Sequence, residues 1–241
     1  MNKKITAFLF YLFLTIGAAQ AQATLIPKAG VSFTKYKSEN TFGNKIREFT
    51  EFGLVGGVAL NLPLSRLPWL SVQPEILCLQ KKYTSQAYTT FTYPFEAEVW
   101  FNKTSRTMHY VELPLLFKAT KNFGQWQGNV HVGPALGYAL AGKQTSGDVE
   151  SKHDFNNNNR LEVSAQAGVG VGRRVGIGTL QVDARYSLGL TPLYKEQTLT
   201  LNMAPPSETP VLVEIPLKAD QKSNVLRFTI GYAIPINASI F

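Results

Sequence analysis

A chain of 241 residues, 44% of them hydrophobic, is long enough for one domain with a substantial core, and its single cysteine, Cys78, excludes an internal disulfide. A mean hydropathy of -0.06 excludes a bundle of membrane helices, whose apolar runs raise that average well above zero. The 24 Lys and Arg against 16 Asp and Glu give a formal charge of +8, a basic balance that fits anionic partners.

The N-terminus says which. Lys3 and Lys4 form a basic n-region, Ile5 to Ala18 an apolar h-region, and Ala19-Gln20-Ala21 or Ala21-Gln22-Ala23 a small-residue cleavage site. Together these predict a secretory signal peptide over residues 1–21 and a mature domain over 22–241. The apolar run falls short of the roughly 20 residues a spanning helix needs, and Gly, Pro or charged residues break every later one. On an exported chain the basic balance points to anionic lipid or lipopolysaccharide phosphates and not to nucleic acid.

Eight stretches then alternate apolar and polar residues. The first sets Ala29, Val31 and Phe33 against Lys28, Gly30, Ser32 and Thr34, and the second sets Phe52, Leu54, Val58, Leu60 and Leu62 against Gly53, Gly57, Ala59 and Asn61. The third has Leu70, Val72, Pro74, Ile76 and Cys78 against Ser71, Gln73 and Glu75. The fourth has Val111, Leu113, Leu115 and Phe117 against Tyr110, Glu112 and Lys118. In the fifth, Val130, Val132, Leu136, Tyr138 and Leu140 oppose Asn129, His131, Gly133 and Gly137; in the sixth, Leu161, Val163, Ala165, Val169 and Val171 oppose Glu162, Ser164, Gln166, Gly168 and Gly170. Leu180 to Leu190 is the clearest, with Gln181, Asp183, Arg185, Ser187 and Gly189 between the apolar positions, and Leu226, Phe228, Ile230, Tyr232 and Ile234 against Arg227, Thr229 and Gly231 complete the set. Strand side chains alternate with a period of two, so one face can meet lipid while the other lines a polar interior, over the roughly 10 residues that cross a bilayer at a tilt.

Connection lengths alternate too. Pro63 to Pro68, Lys121 to Gln125 and Val175 to Gly178 are short, whereas Lys37 to Thr50, Lys82 to Arg106, Gly142 to Arg160 and Thr191 to Lys222 are long and polar. Short turns on one side and long loops on the other predict an all-β, eight-stranded, antiparallel, up-and-down transmembrane β-barrel, multi-pass in a bacterial outer membrane with both termini periplasmic. Ten strands are the alternative, because Leu199, Leu201 and Met203, then Val211, Val213, Ile215 and Leu217, alternate around Ala204-Pro205-Pro206-Ser207. Pro216 and the short apolar faces favour an outer hairpin there instead. Tyr88 to Phe101, rich in aromatics, is expected to form another.

Trp69 and Trp126 begin strands at the short-turn end, and Tyr36, Tyr83 and Tyr194 lie near the other; they are expected as two interfacial girdles. An eight-stranded barrel has room only for side chains. Glu75, Glu112, Glu162, Asp183, Arg185, Arg227, Lys118 and His131 share the inward phase and are expected to pair as a lumen polar network, since an unpaired buried charge is very costly. Lys81, Lys82, Lys103, Arg106, Lys143 and Lys152 are placed at the outer rim, where they either meet lipopolysaccharide phosphates or are simply solvated. His109, His131 and His153 lack metal-ligand spacing, no G-x-S-x-G occurs, and the Gly168-Gly170-Gly172 string fails the dinucleotide spacing. No catalytic residue, metal or cofactor is therefore expected.

Gln73-Pro74-Glu75-Ile76-Leu77, Tyr110-Val111-Glu112-Leu113-Pro114-Leu115-Leu116-Phe117-Lys118, Gly133-Pro134-Ala135, Gly168-Val169-Gly170 and Asp183 to Leu190 resemble the PorT-type outer-membrane β-barrel family, over about Lys28 to Ile236. The resemblance implies a structural or accessory role at the outer membrane, insertion by the barrel assembly machinery, and a link to secretion-system components of the type IX pathway, which exports adhesins and proteases. A surface-exposed binding or adhesion module acting through the long loops is the alternative, and a lipid-modifying enzyme comes third. Such barrels often end in an aromatic in phase with the lipid face. Phe241 is out of phase with Phe228, Ile230 and Tyr232, so either a bulge near Pro235 resets the register or the assembly signal is less usual.

Overall fold

The computed structural model describes residues 23–37, 45–91, 97–100, 103–147, 149–152, 155, 158–193, 197–202, 212–217 and 222–236. The expected signal peptide, Tyr194, His153 and Phe241 lie outside them, as does the side chain of Tyr36. Thirteen strands form among the described residues: β1 (Ala23–Lys37), β2 (Lys45–Thr50), β3 (Phe52–Leu64), β4 (Leu67–Phe91), β5 (Ala97–Trp100), β6 (Thr104–Phe123), β7 (Trp126–Ser146), β8 (Val149–Lys152), β9 (Leu161–Val175), β10 (Gly178–Gly189), β11 (Gln197–Asn202), β12 (Leu212–Leu217) and β13 (Lys222–Ile236).

Eight walls close on themselves in the order β1, β3, β4, β6, β7, β9, β10, β13, every pair antiparallel. β2 continues the wall of β3: both pair with β4, and the register slips by one residue at Glu51. That bulge turns the Glu51 carboxylate toward Lys82, at 3.7 Å, and to the hydroxyl of Thr84, which donates to it. Closure between β1 and β13 runs unshifted from Lys37 and Lys222 down to Ala23 and Ile236, so no bulge occurs at Pro235. Among the described residues β11 and β12 pair only with each other, which leaves the barrel at eight strands with an extra antiparallel pair.

At one end the walls join through two-residue turns, Ser65-Arg66, Gly124-Gln125 and Gly176-Ile177. Gly124 and Gly176 have φ of 64° and 60°, the left-handed backbone that primed hairpin turns demand. At the other end the sheet continues well past the membrane. β4 has 25 residues, β6 has 20 and β7 has 21, about twice what a tilted crossing requires. The loops expected over Lys82 to Arg106 and Gly142 to Arg160 are therefore largely sheet, with β5 pairing β4 and β8 pairing β7. Above the bilayer both faces of a strand meet water, so the backbone ladder persists while the apolar period that marks it in sequence disappears.

The exterior is apolar and the interior polar. Leu54, Ile76, Val130, Val182 and Ile230 are each more than half exposed and Phe117 is half exposed, while Ser71, Gln73, Glu75, Gln166 and Arg227 are buried. Cys78 faces outward with the same set. Trp69 and Trp126 are 54% and 51% exposed at the turn end, where amphipathic rings suit headgroup depth. Tyr83 does not join an outer girdle: it is in phase with the inward Leu79 and Lys81, is buried, and packs against Leu193.

Lipid exposure of this belt is open to a direct test. Val182→Arg should cost about 2–4 kcal/mol in vesicles, as charge at mid-bilayer does, whereas Val149→Arg, on the outer extension, should leave stability unchanged. Reversible urea unfolding followed by tryptophan fluorescence compares the two.

Candidate functional site

The inward phase brings polar side chains from opposite walls into one lumen. In a ring of eight, β4 and β10 stand diametrically apart, as do β6 and β13. Arg185 on β10 reaches across to Glu75 on β4 through two parallel bonds, Nη1 donating to Oε2 at 2.7 Å and Nη2 to Oε1 at 3.1 Å. The same carboxylate accepts from Lys28 Nζ at 2.9 Å and Gln73 Nε2 at 2.6 Å. Arg227 on β13 crosses to Glu112 on β6, Nη1 donating at 2.5 Å. These two struts tie the barrel along two diameters, and the planar guanidinium fork suits a bidentate carboxylate contact.

Gln166 joins the struts. Its amide nitrogen donates to Glu112 at 2.8 Å and its oxygen accepts from Arg185 at 3.4 Å. Nearer the extended end, Lys81 Nζ donates to both oxygens of Glu162 at 2.7 Å and to Ser223 at 3.0 Å, and Ser223 in turn donates to Glu162 at 2.5 Å. Lys81 also lies 4.5 Å from the Tyr110 ring centre. Nearer the turns, Arg185 Nε donates to His131 Nε2 at 3.2 Å, and Asp183 sits 3.5 Å from Arg185 and 3.4 Å from His131. The tautomer that accepts from Arg185 carries its proton on Nδ1, which faces Asn129 Oδ1 at 3.3 Å. Lys118 has softer company, the amide oxygens of Gln73 at 3.2 Å and Gln181 at 3.4 Å.

Glycine makes this packing possible. Gly168, Gly170 and Gly172 on β9 stand directly opposite His131, Asn129 and Gln127 on β7, and a Cβ at each would lie 2.4 Å, 2.7 Å and 2.7 Å from the side chain leaning over it. The glycines are the sockets into which the neighbouring wall's polar groups fit.

All eight residues expected to line the lumen, Glu75, Glu112, Glu162, Asp183, Arg185, Arg227, Lys118 and His131, point inward. Sequence reasoning missed Lys81 and Lys28 as members of the network. Lys81, placed at the rim as a lipopolysaccharide contact or a solvated side chain, is buried against Glu162. Its phase with Leu77 and Leu79, opposite to Cys78, was the signal, obscured by a run of lysines that reads as solvated. Of the other five rim cations, four have local partners and Lys152 is exposed on β8: Lys82 faces Glu51 at 3.7 Å, Lys103 lies over Phe49, Arg106 donates to Gln144 and Tyr83, and Lys143 pairs with Glu150. Among the described residues no cluster of His, Cys, Asp and Glu is arranged to hold a metal. His109 and Glu112 face opposite sides of β6, and each lumen carboxylate has a cation at ion-pair distance, for Asp183 the Arg185 guanidinium at 3.5 Å.

Removing one partner of such a pair leaves the other charge buried. Glu75→Gln should therefore destabilise by about 3–5 kcal/mol, while Lys143→Gln, breaking an exposed pair, should have no measurable effect. Gly168→Val should cost about 1–3 kcal/mol through overpacking against His131. Urea unfolding of the refolded barrel measures all three.

Residues 18–195 match the family described as outer membrane protein beta-barrel domain. Comparison with curated protein sequences returns no match. Among solved structures, the chain is similar to the attachment invasion locus protein Ail of Yersinia pestis, at 12% identity and a TM-score of 0.37, covering 89% of this chain and 99% of that one. It is also similar to the outer membrane protein OprG of Pseudomonas aeruginosa, at 9% identity and a TM-score of 0.44, covering 90% and 97%. With the match spanning most of its length, the chain belongs to the outer membrane protein β-barrel domain family and is an integral protein of the bacterial outer membrane.

Proposed function

We propose that this barrel is a non-catalytic structural or accessory component of the outer membrane, of PorT type, serving type IX protein secretion. The observation that carries the non-catalytic part is the commitment of the lumen carboxylates. Glu75 accepts from Arg185, Lys28 and Gln73, and Glu112 from Arg227 and Gln166. Groups held this way are poor general acids or bases, which need a free proton position within reach of a substrate. The type IX link rests on the resemblance of the Gln73 to Leu77, Tyr110 to Lys118 and Asp183 to Leu190 segments to PorT-type barrels.

In this reading the two-residue turns and both termini face the periplasm, where secretion-system components would meet the barrel, and the extended strands face outward. Lipid and lipopolysaccharide surround it, the barrel assembly machinery inserts it, and nucleic acid has no part. The outer extension of β4, β6 and β7 supports a second reading, a surface module that binds or adheres through the long strands and the segments between them.

Comparative proteomics of secreted and surface fractions from a deletion strain and its complemented parent tests the first reading. Selective loss of type IX cargo is the expected result. Unchanged cargo sinks it, and loss of adhesion after protease shaving of intact cells would then favour the second.

A further inference from the structure

Below the struts the lumen opens into a cavity of about 460 Å³ at the turn end. Its lining is mixed but more polar than apolar: Asn61, Ser71, Thr120, Asn122, Gln127 and Gln181 sit among Trp69, Ile177 and prolines, together with buried Lys118 and exposed Arg174. Its lining includes no carboxylate, and no Asp or Glu occurs within residues 61–71, 118–129 or 172–181, the stretches that build this end of the barrel. A mouth lined by amides, hydroxyls and cations attracts anions and repels cations.

Lys118 is the second observation. Of the five lumen cations, Lys28 and Arg185 pair with Glu75, Lys81 with Glu162 and Arg227 with Glu112. Lys118 alone has no carboxylate at ion-pair distance among the described residues; its partners are two neutral amides at 3.2 Å and 3.4 Å. The Glu75 and Asp183 carboxylates of this part of the lumen are already paired with Arg185. The lower half of the lumen thus holds Lys28, Lys118 and Arg185 against Glu75 and Asp183, and its surplus positive charge sits where the cavity begins. A charge buried to 5% exposure without a counterion is unfavourable unless something supplies one.

We propose that this vestibule binds an oxyanion, a phosphate or carboxylate group entering from the turn side, with Lys118 as its counter-charge, Arg174 as its gate-side contact, and the Gln181 amide as a neutral donor. The site exists whichever way the barrel is inserted. The orientation argued above makes the ligand periplasmic, either a phosphorylated headgroup or the carboxylate end of a peptide.

The test uses the full mature chain, refolded in uncharged detergent and labelled with 15N. Inorganic phosphate, glycerol 3-phosphate, and a tripeptide with a free or an amidated C-terminus are titrated against chloride at equal ionic strength. Saturable shifts at Ser71, Thr120, Asn122 and Gln181 are expected. Lys118→Met should weaken binding about tenfold or more, the loss expected for a hydrogen bond to a charged group. Arg174→Gln should weaken it by a smaller factor, and Lys118→Arg should retain it and serve as the folded control should the methionine variant misassemble. Response to the phosphates supports the site with a headgroup source, and response to the free but not the amidated peptide supports it with a chain-end source. Shifts equal to those of chloride, or binding unchanged in Lys118→Met, overturn it. Neither outcome depends on type IX cargo, so the two proposals fail separately.

Discussion

Everything in this fold depends on the pairing of β1 with β13. In hydrocarbon an unpaired backbone N–H or C=O costs several kcal/mol, and only a sheet without edges escapes that cost. Once the first and last strands pair from Lys37 and Lys222 to Ala23 and Ile236, the remaining geometry follows. Antiparallel closure needs an even number of walls, eight walls fix a lumen only wide enough for side chains, and the period of two then forces one residue in two into that lumen. A polar interior is the consequence of giving the other residue to lipid.

The lumen solves a packing problem and an electrostatic one with the same residues. Filling a narrow tube needs long side chains, and long polar side chains bring charge. Charges removed from water are tolerable only when paired, and the Glu75–Arg185 and Glu112–Arg227 struts make those pairs between walls that share no backbone contact, the first through two parallel bonds and the second through Nη1 alone. Because each strut spans a diameter, it fixes the relative heights of two remote strands, a constraint the hydrogen-bond ladder supplies only between neighbours. Gln166 couples the struts, so the loss of either charge pair would be felt by both.

The parts legible in the sequence were those governed by the bilayer. Lipid imposes alternation on residues such as Leu180, Val182 and Tyr186, and it forces the opposite face of the same strand to hold Asp183 and Arg185, so wall number and lumen membership could both be read from phase. Outside the bilayer that imposition ends. β4 runs on to Phe91 through Tyr83, Thr84 and Ser85 with no apolar stripe to mark it, and a ladder between wet faces reads as a polar loop. Lys81 was misplaced for a related reason: it follows Gln80 and precedes Lys82, a composition typical of solvent, and only its phase relative to Glu75 revealed its direction. Partner choice was not legible at all. Which acid meets which base depends on the height and rotation of opposing walls, set by register shifts such as that at Glu51, which no local pattern encodes.

The distribution of charge along the barrel axis carries a further consequence. The struts partition the lumen into an upper part in which Lys81 and Arg227 balance Glu162 and Glu112, and a lower part in which Lys118 is left over. Had the lumen served only as filler, a neutral residue at position 118 would pack as well, since Gln73 and Gln181 already supply hydrogen bonds there, and replacement of buried charge by well-packed neutral groups is often neutral or stabilising. A lysine retained at the boundary between the packed network and an acid-free cavity makes sense if its counterion arrives from outside. The filled half of the barrel then provides rigidity, and the open half, beneath Lys118, is where chemistry from the solution can still reach the interior.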